Sequence, residues 1–257
     1  KMAENQYGFP TEVLSLPSKG LLYPEDSPLR SGTIDVKYMT AKEEDILTSQ
    51  NLITQGVVIE RLLQSVIADS KVKLDDLLIG DKNALMMGTR ILGYGKDYPV
   101  VIIDPETGQE VETTIDLTTI KEKQVDESLL ENGNNFEFEL PNSKRKIGFK
   151  LLTHKDETEI DKILKSLEKA EKITGISTEI TTRLKYQIQS IDGDKEQKTI
   201  DSFVDNEFLS LDVRAYRKYV SSLTPDMDLT FDYTSGNGNT TQVAVPLGLD
   251  FFWPAAE

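Results

Sequence analysis

LPSKGLLYP (Leu16–Pro24), TIDVKYM (Thr33–Met39), TAKEEDILTSQ (Thr40–Gln50) and GVVIERLLQSVI (Gly56–Ile67) follow one another along the chain, and their reading decides the fold class. Pro17 and Pro24 fix φ and bias Leu16 and Tyr23 toward extended backbone. Gly20 permits a turn that other residues resist. The segment therefore reads as an extended, presented loop, with Leu16, Leu21, Leu22 and Tyr23 free to pack on something. Thr33–Met39 alternates as a strand does. Thr40 with Glu43 makes a capping box, and Glu43, Glu44 and Asp45 lie where the helix dipole favours negative charge. A helix thus starts at Thr40. Val58, Leu62 and Val66, with Ile59, Leu63 and Ile67, recur at helical spacing and predict a second helix with a broad apolar stripe.

Working outward, the next helix is expected over Asp81–Gly95, with Asp81 as its N-cap and Gly93 and Gly95 as its stop. A first hairpin pairs Tyr98–Asp104 with Glu110–Leu117. A second pairs Asn134–Pro141, where Phe136, Phe138 and Leu140 alternate with Glu137 and Glu139, with Lys146–Leu152. A helix capped by Asp156 or Thr158 carries Ile160, Ile163, Leu164 and Leu167 toward Gly175. Another is expected over Ser177–Ile191, with Ile180, Leu184, Ile188 and Ile191 on one face. A further helix over Asn206–Leu223 places Phe208, Leu211, Ala215, Tyr219 and Leu223 inward and ends before Pro225. A third hairpin pairs Asp228–Thr234 with Thr240–Leu247 around Ser235–Asn239. The fold class is α+β, with helices interleaved with three β-hairpins behind an extended N-terminal arm. The expected organisation is an arm over 1–32, helices and the first hairpin over 33–125, and the remainder over 126–257, with the last two open to being one continuous domain. The first and third hairpins echo each other, each with an apolar residue and Asp before a Gly-containing turn; duplication and chance both account for this.

The composition excludes several classes. With 29 basic and 44 acidic residues the net charge is −15, which repels phosphate backbones and argues against general nucleic-acid binding. The one tight basic run, Lys144–Lys146, reads as a solvated turn. Without cysteine there is no disulfide and no thiolate metal site. No apolar run is long enough to cross a bilayer, and KMAENQYGFP has no apolar signal core, so synthesis and assembly are expected in the cytoplasm.

Chemistry is equally sparse. The single histidine, His154, has no partner in sequence and reads as a surface residue at a helix start. Asp192, Asp194 and Glu196 alternate as calcium ligands do but lack the rest of that series, so a solvated turn is the better reading. Asp226 and Asp228 can supply one member of a carboxylate pair for glycoside hydrolysis, yet Asp after Pro225 is also ordinary turn chemistry. No nucleotide, flavin or metal motif occurs, and no cofactor is expected. Phe251, Phe252 and Trp253 form an aromatic anchor, read as core in preference to interface.

LPSKGLLYP, the spaced Gly32, Val36 and Met39, TAKEEDIL and the closing GLDFFWP (Gly248–Pro254) resemble the signature of a baseplate protein family of T-even-type contractile-tail bacteriophages. The resemblance anchors both ends of the chain. It implies a baseplate hub subunit or hub assembly protein of the virion tail that binds other tail proteins and has no catalytic residues to carry over. Cysteine pairs able to hold zinc in some relatives have no counterpart here. The arm is then the expected partner contact, through Leu16, Pro17, Lys19, Gly20, Leu22, Tyr23 and Pro24. Two rivals stand beside this reading: a tail-associated cell-wall hydrolase using acidic residues, and a chaperone absent from the mature virion.

Overall fold

A computed structural model describes residues 7–252. In chain order the elements are β1 (Thr11–Ser15), β2 (Thr33–Lys37), α1 (Ala41–Thr48), α2 (Gln50–Gln55), α3 (Val58–Val66), α4 (Ile79–Tyr94), β3 (Asp97–Ile103) and β4 (Glu110–Asp116). Then come β5 (Phe136–Glu139), β6 (Lys146–Phe149), α5 (His154–Thr174), α6 (Glu179–Gln187), β7 (Ile188–Ile191), α7 (Gln197–Asn206), α8 (Ser210–Leu223), β8 (Thr230–Thr234) and β9 (Thr240–Ala244). The α+β class holds: helices alternate with small antiparallel sheets.

The three expected hairpins form as β3–β4, β5–β6 and β8–β9. Their strands alternate as the side-chain period requires, so Tyr98, Val100 and Ile102 of β3 point inward while Val101 and Ile103 point out. A fourth pairing joins β1 to β2, from Thr11 opposite Lys37 to Ser15 opposite Thr33. Residues 16–32 are therefore a loop closed at its base, where Leu16 N–H donates to Gly32 O at 2.9 Å.

One apolar cluster runs through the whole molecule, from Leu16 and Leu29 through Leu62, Leu85 and Ile147 to Tyr216, Phe251 and Phe252. Backbone bonds stitch its parts together: His154 N–H to Leu77 O at 2.8 Å, Ile79 N–H to Leu152 O at 3.2 Å, and Lys123 N–H to Asp226 O at 2.9 Å. The echoing first and third hairpins meet at their tips. There Tyr233 Oη donates to Asp104 at 3.0 Å and Ser235 Oγ to Glu106 at 2.7 Å. Phe251 and Phe252 are fully buried, with Phe251 edge-on to Tyr98 at 5.0 Å, as the core reading of the aromatic anchor expects. Trp253 lies outside the described residues.

The capping box at Thr40 is present, with Glu43 Oε2 accepting from Thr40 N and Oγ1 at 2.8 and 2.7 Å. Glu43 does more than cap. It is buried and also accepts from Lys37 Nζ at 2.7 Å and Ser65 Oγ at 2.6 Å, tying α1 to β2 and α3. Desolvation raises its pKa, but those hydrogen bonds outweigh it and hold the group at about 2.

Several sequence expectations fail for identifiable reasons. The helix expected over Ser177–Ile191 ends at Gln187, and Ile188–Ile191 becomes β7, the third strand beside β6. β-branched Ile188 and Ile191 suit the open edge of β6, and Gly148 makes room for the Ser190 hydroxyl, which a Cβ there would displace. The helix expected over Asn206–Leu223 starts later, at Ser210, and is preceded by α7, which the sequence reading did not expect. α7 ends at Asn206, Phe208 N–H folds back onto Phe203 O at 2.9 Å, and α8 begins at Ser210. Its inward face is also rotated. Leu211 is exposed while Asp212 is buried, because the Asp212 carboxylate accepts from Asn142 N, Asn142 Nδ2 and Ser143 N at 2.8–2.9 Å and so closes the β5–β6 turn. α5 is capped by Thr153, and Asp156 completes the box from its third position.

The Glu43 carboxylate gives a signed pH expectation. Its folded pKa lies below its ordinary value, so its contribution is complete above about pH 4.5 and is lost as the pH falls toward 2. The stability gap between wild type and Glu43→Gln, measured by urea melts, should narrow over that window. A gap that stays constant from pH 5 to pH 2 contradicts the tie.

Candidate docking site

The signature loop is built around Asp81. That residue is not the N-cap of α4: the helix starts at Ile79, and Asp81 sits in its first turn, fully buried. Its Oδ1 accepts from Ser18 N at 3.0 Å, and its Oδ2 from Ser18 Oγ and from Tyr23 Oη, each at 2.6 Å. The Tyr23 oxygen in turn accepts Leu78 N–H at 2.9 Å, satisfying a free donor at the helix start. Burial pushes the Asp81 pKa up and the Ser18 and Tyr23 hydrogen bonds oppose it. Burial also drives the Tyr23 phenol above its ordinary range, so it stays a donor. From the other side of the loop, Arg30 Nη1 donates to Leu21 O at 2.8 Å and to Gly20 O and Tyr23 O at 3.3 Å. Gly20 takes φ +77°, and a Cβ there would collide with the Arg30 carbonyl.

This corrects the reading of Leu16–Pro24 as an extended, presented loop. Over 11–15 the chain is extended, but Leu16, Pro17, Gly20, Leu22 and Tyr23 are buried within their own chain. Of the residues expected to bind a partner, only Lys19 and Pro24 are exposed, and Lys19 pairs with Glu127. The signal that was missed is the polar content of the loop. Ser18 and Tyr23 are the donors a buried carboxylate needs, and Asp81 is that carboxylate.

His154 is the first residue of α5 but is not a surface residue. Lys82 Nζ donates to its Nδ1 at 3.1 Å, and Nε2 faces Glu60 at 3.7 Å. Burial, then the Lys82 charge, lowers its pKa. The acidic residues weighed for chemistry are taken up by structural hydrogen bonds, local at Asp194 and Asp228 and long-range at Asp192 and Asp226. Asp192 accepts Lys146 N at 2.7 Å, and Asp194 accepts Glu196 N at 2.9 Å. Asp226 accepts Asn83 Nδ2 at 2.9 Å, and Asp228 accepts Thr230 Oγ1 at 2.8 Å. Among the described residues no group of carboxylates and histidine could hold a metal ion, and no helix is long and apolar enough to cross a membrane.

The surface feature that stands out is the α5–α6 pair. α5 has 21 residues and so spans about 30 Å. Its root is fixed by buried His154, Asp156 and Ile160, but no residue from 161 to 181 is buried. The expected apolar stripe is thus covered only at Ile160; Ile163 is exposed, and Leu164 and Leu167 are half-buried. Gly175 stops α5 in the left-handed conformation, and Glu171 accepts Thr178 N and Oγ1 at 2.7 Å to turn the chain into α6. Arg183 closes the root with Glu157 at 2.6 Å. The result is an arm of two helices whose tip exposes Ile173, Ile176 and Ile180 by 86%, 67% and 57%. On its flank a groove of about 520 Å³ is lined by Ile163, Leu167, Tyr186, Lys185, Gln197 and Asp201.

With this geometry in place, the comparisons define the class. The family described as T4 bacteriophage base plate protein matches residues 16–253, and the chain belongs to it. The match begins at the first residue of the signature loop and runs through both hairpin tips and the arm. Comparison with curated proteins and with solved structures found no match.

Tyr23→Phe removes a donor from Asp81 and leaves Leu78 N–H without its acceptor. It should cost about 1–3 kcal/mol in a denaturant melt. Asp81→Ala, which strands Ser18 and Tyr23 together, should cost more than Tyr23→Phe. Equal or negligible losses would show that the loop is held by its apolar contacts alone.

Proposed function

We propose that this base plate protein is a component of the tail baseplate hub, or a factor that assembles it, and that it acts by protein–protein docking without catalysis. The observation that carries the reading is the α5–α6 arm. Large aliphatic side chains gathered at the tip of a projecting helix pair mark a surface that another protein covers. The arm is held at the right place by its root: His154 and Asp156 lock α5 into the body, so a load on the tip is transmitted to the core. In this reading the signature loop contributes only Lys19 and Pro24 to any partner surface, and its other residues shape the body that carries the arm. The partners are other baseplate proteins, met in the host cytoplasm during assembly.

Ile173→Asp with Ile176→Asp tests the arm. Exposed substitutions of this kind change stability by about 0.5 kcal/mol or less, so the thermal melt should be unchanged while the variant fails to rescue tail assembly in a phage lacking the protein. Normal rescue would remove the arm from the docking surface. Mass spectrometry of purified virions separates the two roles: a permanent hub subunit is present in the particle, and an assembly factor is absent.

A further inference from the structure

Two further faces carry exposed aliphatic side chains together with charge of opposite sign that makes no ion pair within the chain. The first is the outer face of the β3–β4 hairpin. Val101 and Ile103 are exposed there, Ile103 by 65%. The register sets Val101 opposite Glu112 and Ile103 opposite Glu110. The face is thus two aliphatic side chains beside two carboxylates, about 7 Å apart along the strand. Among the described residues neither Glu110 nor Glu112 makes an ion pair.

The second is the outer face of α8. With Asp212, Tyr216 and Leu223 pointing inward, the opposite stripe is Leu211, Arg214 and Lys218, with Arg217 beside them. Leu211 is 67% exposed, and Arg214 and Lys218 lie about 6 Å apart along the axis. None of these cations has an ion-pair partner among the described residues. Lys37, Arg145, Lys150, Arg183 and Lys185, by contrast, are paired internally.

We propose that these two faces dock on each other between copies of this chain. Arg214 and Lys218 of one copy meet Glu110 and Glu112 of the next, and Leu211 packs against Val101 and Ile103. The carboxylate spacing along the strand matches the cation spacing along the helix, and each face sets its aliphatic groups beside its charges. Because the two faces differ, the contact is head-to-tail and propagates to a ring or a filament. Each face is small, so the association is weak and carried largely by charge, and salt dissolves it.

Sedimentation velocity on the full chain tests this. Concentration-dependent association is expected at about 50 mM salt and its loss at about 500 mM. Arg214→Glu with Lys218→Glu, and separately Glu110→Lys with Glu112→Lys, should each weaken association about tenfold or more. Mixing the two reversed variants should restore it, since each then offers the other a complementary pair of faces. Thermal melts check that both fold; Lys218→Gln and Glu112→Gln replace any variant that does not, with a smaller loss expected. A wild-type chain that stays monomeric, association that survives both reversals, or a cationic stripe that instead binds a DNA duplex overturns the proposal.

Discussion

The structure depends on a buried carboxylate. Asp81 is enclosed in the first turn of α4 and gathers Ser18 N, Ser18 Oγ and Tyr23 Oη from a loop more than fifty positions earlier in the chain. An uncompensated carboxylate in such a place is costly, and removing any donor leaves it partly unsatisfied. The loop is therefore required to close as it does. Its closure puts Leu16, Leu22 and Tyr23 into the core and brings Leu77 and Leu78 to the position where Leu152, Thr153 and His154 bridge to them. That bridge fixes the root of α5, and the root fixes the direction of the arm.

The same device recurs. Glu43 binds α1 to β2 and α3, and Asp212 binds α8 to the β5–β6 turn, each by accepting several hydrogen bonds while shielded from solvent. Asp212, like Glu43, is held at about pKa 2, burial being outweighed by its Asn142 and Ser143 donors. An acidic composition that argues against nucleic-acid binding thus has a structural use here. Part of the excess acid is internal, where it specifies which segments meet; apolar contacts supply the bulk of the burial.

Much of the fold was legible in the sequence. The three hairpins, the Thr40 cap, the α3 stripe and the Gly175 and Gly95 stops all rest on local rules, and local rules decide those places. The failures are tertiary. Ile188–Ile191 continues a helical pattern, but an open strand edge at β6 captures it. Leu211 fits the helical stripe better than Asp212, yet a turn elsewhere requires the aspartate. Ile163, Leu164 and Leu167 keep helical spacing and α5 forms, but periodicity marks a face without saying what covers it, and here little does. The signature residues were read as a partner surface because prolines and leucines in an extended segment suggest presentation. Ser18 and Tyr23 hint at a buried acceptor, but only the structure shows that it is Asp81, some sixty positions away.

The most direct measurement of this account is amide hydrogen exchange at Ser18 in the full-length protein. If Asp81 fastens the loop, the Ser18 amide is released only with the global unfolding of the body and exchanges among the slowest amides, alongside those of α3 and α4. Exchange at the rate of an open chain segment, while α3 and α4 stay protected, would show a loop independent of the core and would contradict the central role of the buried carboxylate.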